Sequence, residues 1–502
     1  PDLDETRLVG ADRHVLDIVV ADLHDRLKSA GFMDVYAQFA EEDLRIRFRP
    51  LVLLHYLAMA KIYGLNYPAL LWHNIVIASL ACTFLFLAAR NSGATTIASA
   101  LFVAVTCLGN QAVFAMRISL GETPGMLMIG VSAFALTKGR RMLAVVFFLL
   151  AALTKESFVL LAPALLWADM LILGEKRIGT YAYTHRSFVV GMSVSALAVL
   201  AVIILHVGTH AIGYAGVDRE TLSLTKLAGS FTAALFLKGY ALALIPVAYG
   251  IYIKAKRSET INLNILWRGV ILCALVLLPQ ATLYAKSGIF MHYLLPALLW
   301  SGLAILMLWN DPLGMPLRLH GYFRTMTKIL LLFNIILLAN NARDIARWGH
   351  DARIMLERVT TLTGPGDTIV IIGHPVRDYE KAADAAKFLA SDLYGRARTS
   401  ILPTTGADGS GTPHEQLLTR RFLDANHTDM ERRSILLSHA ACILFMPGAL
   451  DDLQKNDPAV IAIAGMDTTR VANYLIATPS FGTHPYLHGS PGKRPTSMNG
   501  DP

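Results

Sequence analysis

Charge is what this sequence is short of. Only 16% of its 502 residues are Asp, Glu, Lys or Arg, against about 25% in an ordinary soluble domain, and 54% are hydrophobic. The deficit is localised. Residues 50–341 hold repeated apolar stretches of about 17–25 residues, the length that crosses roughly 30 Å of hydrocarbon. Residues 342–502 have near-normal polarity. Cysteine is also scarce, and four residues make no disulfide scaffold. Cys82, Cys107 and Cys273 lie in apolar spans and Cys442 in an apolar strand-like run, all read as small buried hydrophobes. The net charge of +8 forms no continuous basic face, because the excess Lys and Arg sit in short loops between apolar spans. That excludes nucleic acid as a partner. No inverted repeat relates the two halves, and residues 1–49 contain no signal-sequence pattern.

What is present is a series of ten candidate spans: 67–89, 95–116, 122–137, 142–153, 157–173, 187–207, 229–253, 265–285, 293–309 and 328–341. Several are short, which implies kinked or incompletely crossing helices around a cavity. The stretch 142–173 is broken at Thr154-Lys155-Glu156-Ser157, too polar for lipid, so two helices are expected to meet there at a membrane surface.

Alternate loops separate by charge. Arg90; Lys138, Arg140 and Arg141; Lys176, Arg177 and Arg186; Lys254, Lys256, Arg257 and Arg268; and Arg318, Arg324 and Lys328 make 14 basic residues in one set. The other set holds five: Arg117, Lys155, Arg219, Lys226 and Lys286. The positive-inside rule makes the first set cytoplasmic and places residues 1–49 and 342–502 outside. A long outside segment without a signal needs a span to carry it across, so one further helix is expected before Pro1, giving about eleven.

Residues 1–49 are rich in carboxylates, and Val15, Ile18, Val19, Leu23 and Leu27 recur at helical spacing. The pattern predicts an amphipathic helix on the outer surface, most of its charges being a solvated face. Asp4-Glu5-Thr6-Arg7 stands apart by its place, where carboxylates at the mouth of a bundle can serve as general base or metal ligand. Arg45, Arg47 and Arg49 alternate before an apolar helix, either as a phosphate clamp or as arginines snorkelling to the interface.

Residues 342–502 read as a small α/β domain. It is expected to begin with an amphipathic linker helix from Asn341 to about Leu362, then a strand at Thr368–Ile372 and a helix at about Tyr379–Leu393. Further strands are expected at Ala441–Met446 and around Val460–Ala464, with a disordered tail from Pro479. Gly373-His374-Pro375 has no accompanying phosphate-binding glycine pattern and reads as structural.

Five short motifs, in order and on one face, give the chain a family resemblance. Asp4-Glu5-Thr6-Arg7 resembles the acidic motif after the first span of the GT-C membrane glycosyltransferases, nearest their aminoarabinose-transferase and protein O-mannosyltransferase branch. Arg49-Pro50-Leu51, followed by an apolar helix and Gly64, is similar to that family's basic-Pro-Pro-Leu segment, with Arg-Pro in place of its double proline. Glu122 stands where the family has its second external-loop acid, usually Asp. Lys155-Glu156 resembles its turn between two short helices, and His292-Tyr293-Leu294-Leu295-Pro296-Ala297 the start of a late span that has Arg in the family.

The resemblance implies an all-α polytopic transmembrane bundle over residues 50–341, with residues 1–49 as an external loop and a small extracytoplasmic α/β domain behind. It implies an inverting transferase that takes sugar from a polyprenyl-phosphate carrier to a glycan, lipid or protein acceptor at the periplasmic face of a bacterial inner membrane. Such chemistry needs a carboxylate to take the acceptor's proton and cations around the leaving phosphate. On that footing Asp4 is the expected base, with Glu5 its rival, and Glu122 the second acid. Lys155 and Arg49 are the expected phosphate contacts, Arg47, Lys286 and His292 weaker ones, and Glu156 and Arg7 orienting residues.

Lys238, about ten residues into the 229–253 span, is costly there unless it faces a cavity or a partner carboxylate. Asp2-Leu3-Asp4 is formally a divalent-ion pattern, but monophosphate donors in the family need no metal, so neither metal nor cofactor is expected. The rival readings are a transporter or lipid flippase and, within the enzymes, an oligosaccharyl transferase or ligase.

Overall fold

The computed structural model describes residues 23–44, 48–107, 121–207, 317–373, 397–403, 435–447 and 458–479, single positions within these excepted, and scattered residues in 225–278, 385–389 and 449–453. The chain divides into two compact units, residues 1–350 and 351–502.

In the first unit the described helices are α1 (Phe32–Leu44), α2 (Pro50–Tyr63), α3 (Tyr67–Asn91), α4 (Thr96–Cys107), α5 (Glu122–Thr137), α6 (Arg141–Thr154), α7 (Ala162–Ile172), α8 (Ile178–Thr184) and α9 (Arg186–Val207). Local chemistry sets their ends. Asn66 caps α3 by accepting from the Ala69 N–H at 3.2 Å, with Pro68 in the first turn. Gly139 at φ 69° closes α5, its N–H donating to the Leu136 carbonyl, and α6 begins two residues later. α6 stops at Thr154 because Lys155 is extended (φ −155°, ψ 127°). A 3₁₀ turn, Glu156–Leu161, follows, and Pro163 opens α7. This is the break expected at Thr154–Ser157.

Small residues hold the helices together. α3 packs on α5 and α5 on α6, through Ala78, Ala81, Ala144, Ala151 and Ala152 with Met126, Ile129 and Phe148. Gly130 lets α5 approach α3, since a Cβ there would lie 3.1 Å from the Ala81 carbonyl oxygen. Ser132 donates to the Ala144 carbonyl at 2.9 Å, fully buried between α5 and α6. Close backbones and buried interhelical hydrogen bonds are how apolar helices associate when apolar surface has nothing to gain by leaving its surroundings.

Outward, Trp72, Val76, Leu80, Val190, Val194 and Leu197 are exposed. Among the described residues two helices, Ala69–Asn91 and Arg186–Leu205, are long and apolar enough to cross a membrane by length and composition. Pro50–Tyr63 and Arg141–Thr154 are shorter apolar helices. α1 is anchored by Val35 against Val52, Tyr56 and Leu57 of α2, in a cluster that also buries Leu23 of the expected amphipathic helix. Val15, Ile18 and Val19 lie outside the described residues.

α10 (Leu317–Leu362) runs 46 residues without interruption. The sequence predicts a boundary near Asn341, where hydropathy falls. No proline follows that point within the helix, so the backbone ladder continues although the side chains turn polar.

The second unit carries a five-stranded sheet in the order β2-β1-β3-β5-β4, from β1 (Thr368–Gly373), β2 (Arg398–Pro403), β3 (Cys442–Phe445), β4 (Met466–Val471) and β5 (Tyr474–Pro479). β1 pairs in parallel with β2 (Thr368 opposite Arg398) and with β3 (Ile369 opposite Cys442), while β4 and β5 form an antiparallel hairpin. Ile369, Val370, Ile371 and Ile372 are all buried, as a central strand covered on both faces requires.

The strand expected around Val460–Ala464 is instead α11 (Pro458–Ile463), with Ala459 in the core. A continuous apolar run of that length fits a buried strand or a helix equally, and Pro458 at its head favours helix initiation. Of the helix expected at Tyr379–Leu393, Ala385, Ala386 and Leu389 are described, helical and buried. The segment from residue 480 onward lies outside the described residues.

Candidate functional site

α5 begins at Glu122, with Gly121 before it and Pro124 in its first turn. An acid in the first turn meets the positive end of the helix dipole and its unpaired N–H groups. Glu122 is withdrawn from solvent at 3% exposure. Directly across from it, Lys155 sits in the extended break after α6, at 9% exposure. Its ammonium Nζ donates to Glu122 Oε1, so acid and base form a buried ion pair.

Two glycines make that approach feasible. A Cβ on Gly121 would lie 2.7 Å from the Thr154 carbonyl oxygen, and one on Gly125 would lie 2.5 Å from Phe158 Cε2. With hydrogen in those places, the first turn of α5 presses against the end of α6 and the 3₁₀ turn. The turn itself is closed by the Phe158 N–H donating to the Lys155 carbonyl at 3.1 Å, and Thr154 Oγ1 donates to the Ala151 carbonyl at 2.6 Å.

Of the other expected site residues, Glu156 opens the 3₁₀ turn beside Lys155 and is half-buried. Arg49 is the N-cap residue of α2, its carbonyl accepting from the Leu53 N–H at 3.3 Å, and α2 packs on α6. The neighbouring Phe48 packs against the large core cluster that contains Phe158. Asp4, Glu5, Arg7, Arg47, Lys238, Lys286 and His292 lie outside the described residues. Among the described residues no group of three or more His, Cys, Asp or Glu is placed to hold a metal ion, and Asp2-Leu3-Asp4 is outside them.

A second buried polar centre gathers around Asp169, a residue not among those expected from sequence. Asp169, fully buried on α7, accepts from Arg141 Nε at 2.8 Å and from the Tyr181 hydroxyl at 2.9 Å, both on Oδ2. Burial first, and then the bond to Asp169, push the Tyr181 phenol well above its ordinary range. The signal was available: Asp169 is the one acid inside the apolar stretch 157–173, and an ionisable group there demands a partner.

The two centres lie at opposite ends of the helices. Asn91 Nδ2 donates to Thr137 Oγ1 at 3.3 Å, tying the ends of α3 and α5, and Arg141–Asp169 ties the start of α6 to the end of α7. Arg90, Lys138, Arg140 and Arg141 therefore gather at one end, and Glu122 and Lys155 occupy the other.

No family model matches the chain, and no curated protein matches it either. Among solved structures it is similar to ArnT from Cupriavidus metallidurans in the apo state, at 12% identity and a TM-score of 0.48, over 92% of each chain.

Proposed function

We propose that the chain is a polytopic membrane glycosyltransferase that moves a sugar from a polyprenyl-phosphate carrier to a glycan, lipid or protein acceptor at the outer, periplasmic face of a bacterial inner membrane. The observation that carries the reading is the Glu122–Lys155 pair, an acid and a base withdrawn together at the bundle end away from the basic loops. A merely structural bundle gains little from such a pair, because burying two charges costs about as much as their attraction returns. The exposed apolar flanks of α3 and α9 and the small-residue packing between helices support the membrane setting.

In this reading the acceptor hydroxyl oxygen attacks the anomeric carbon on the face opposite the phosphate. The new C–O bond forms as the bond to the phosphate oxygen breaks, and the electron pair leaves on the phosphate. Asp4, with Glu5 as the alternative, takes the acceptor's proton. Lys155 and Arg49 meet the charge developing on the leaving phosphate, with Arg47, Lys286, His292 and Lys238 as further cations. An ammonium has three N–H donors and can serve a carboxylate and a phosphate oxygen together. Glu122 thus holds the Lys155 nitrogen in place and offers negative charge to the sugar ring as it becomes cationic. Neither metal nor cofactor is assigned a step.

The test supplies radiolabelled polyprenyl-phosphate sugars to the full chain in lipid and follows release of the free carrier, in wild type, Asp4→Asn and Glu122→Gln. Release by wild type and its loss in the folded variants is the expected result. Release that persists in Asp4→Asn moves the base to Glu5 or elsewhere. Transfer only from oligosaccharide-bearing carriers makes the protein an oligosaccharyl transferase or ligase. No release from any donor, with sugar or lipid crossing the membrane instead, makes it a transporter or flippase.

A further inference from the structure

The bundle end remote from Glu122 and Lys155 has an unusual surface. α8 lies between the end of α7 and the start of α9, and its Tyr181 is drawn inward to Asp169, which Arg141 also engages. Residues on either side of that buried tyrosine are open to the surroundings. Ile178 is 64% exposed and Tyr183 82%. Exposed Ile172 and Leu173, at the junction of α7 and the following loop, adjoin it in sequence. A short helix that shows an isoleucine and a tyrosine to its surroundings is unlike the polar loops that cap a soluble bundle.

Charge completes the pattern. Arg90, Lys138, Arg140, Lys176, Arg177 and Arg186 are all exposed at this end. The acids described in the same loops do not offset them. Asp169 is buried and engaged by Arg141, which leaves the half-buried Glu175 as one carboxylate among six exposed cations. Lys176 and Arg177 precede α8 and Arg186 follows it, so basic side chains bracket the exposed Ile178 and Tyr183. Apolar side chains between basic ones, on a short helix that connects two longer apolar ones, match the boundary between acyl chains and acidic headgroups.

We propose that this surface, centred on α8 and latched by Tyr181–Asp169–Arg141, binds anionic phospholipid headgroups of the inner leaflet. Ile178 and Tyr183 enter the headgroup layer, while Lys176, Arg177 and Arg186 pair with lipid phosphates. The Asp169 latch is a positioning element, holding the helix so that these side chains face outward together. The proposal rests on the membrane reading above and adds a lipid class and a location to it.

The experiment reconstitutes the full chain in bilayer discs of phosphatidylcholine alone, or of an equal mixture with phosphatidylglycerol. Melting temperature and the number of retained lipids by native mass spectrometry are read for each. Phosphatidylglycerol is expected to raise the melting temperature by roughly 2–4 °C or more and to stay bound through the measurement. High salt weakens the effect, because exposed charges are screened. The Lys176→Ala/Arg177→Ala/Arg186→Ala variant, altered only at exposed side chains, loses both the shift and the retained lipid. Equal melting in the two bilayers, or a shift that survives in the triple variant, overturns the proposal. A shift reproduced by soluble glycerol phosphate in phosphatidylcholine discs also overturns it, in favour of an anion site. A chain that stays monodisperse with neither lipid nor detergent would overturn the membrane reading itself, a result distinct from equal melting in two lipids.

Discussion

Lys155 donates to Glu122 across 33 positions of sequence, from an extended break between helices to the first turn of α5, with both side chains withdrawn from solvent. Removing one partner deprives a buried charge of its counter-ion, which costs about 3–5 kcal/mol. Glu122→Gln and Lys155→Met each therefore lower the unfolding midpoint in lipid or detergent. The double variant Glu122→Met/Lys155→Met recovers most of that loss, because neither charge is then buried. Activity separates from stability here: carrier release in the double variant stays at the level of the worse single variant. Recovery of release along with stability would show that the pair is structural only.

Gly125 tests the close approach that brings the pair together. A Cβ there meets Phe158 Cε2 at 2.5 Å and Thr154 Oγ1 at 2.7 Å, both side-chain atoms in a packed region. Gly125→Ala is expected to cost about 1–3 kcal/mol by overpacking, and Phe158→Leu in the same chain restores part of it. Gly179, within α8 and with nothing inside 4 Å of its ideal Cβ, is the control. Gly179→Ala is neutral or stabilising by up to about 1 kcal/mol, from helix propensity alone. Thermal unfolding of the three variants side by side decides the matter.

Asp169 holds two donors on one oxygen, so its removal strands both. Asp169→Ala leaves the Arg141 guanidinium, itself largely buried, without its carboxylate. A loss of about 3 kcal/mol or more is expected. Tyr181→Phe deletes a single hydrogen bond to a charged acceptor and costs about 1.5–3 kcal/mol. Because the three groups form one network, the double variant Asp169→Ala/Tyr181→Phe loses less than the sum of the singles. Additive losses would mean that Tyr181 does not act through Asp169.

Cys442 gives a pH test of the second unit. It is fully buried in β3, and burial pushes its thiol from 9.0 up to about 12. The unfolded chain ionises first as pH rises. The stability that the protonated thiol contributes is therefore intact below about pH 9 and declines as pH climbs towards 12. Iodoacetamide at pH 8 should leave Cys442 unmodified in the folded protein and label it on unfolding. Cys442→Ala removes this part of the alkaline loss, which hydrogen exchange of β1 and β3 amides at rising pH would register. Rapid labelling of the native protein would contradict the burial.

Much of the helical unit was legible because its punctuation is local. The limits of α5 agree with the span expected at 122–137, and α6 and α9 lie within a residue of theirs. An apolar run between Gly121-Glu122 and Lys138-Gly139 carries its own start and stop. The break at Lys155 was legible for the same reason, since a polar Thr-Lys-Glu-Ser tetrad interrupts an apolar stretch. In the second unit, β1 and β3 are short buried apolar runs that declare themselves. The β4–β5 hairpin does not. Met466–Val471 is an edge strand made of Asp, Thr, Thr and Arg between two apolar ends, and backbone pairing to β5 makes it a strand despite that composition.

By itself the sequence determined where apolar helices begin and end and that basic residues alternate between loops. Those properties depend on neighbours within a few residues, so they can be read along a line. Tertiary structure alone decided that Lys155 is the partner of Glu122 and that Asp169 gathers Arg141 and Tyr181. Which helices lie side by side, and how closely, depends on small residues such as Gly121, Gly125 and Gly130 meeting particular backbone and side-chain atoms. A hydropathy pattern records that a face is apolar but not which face it meets, so pairings between helices appear only once the chain is packed.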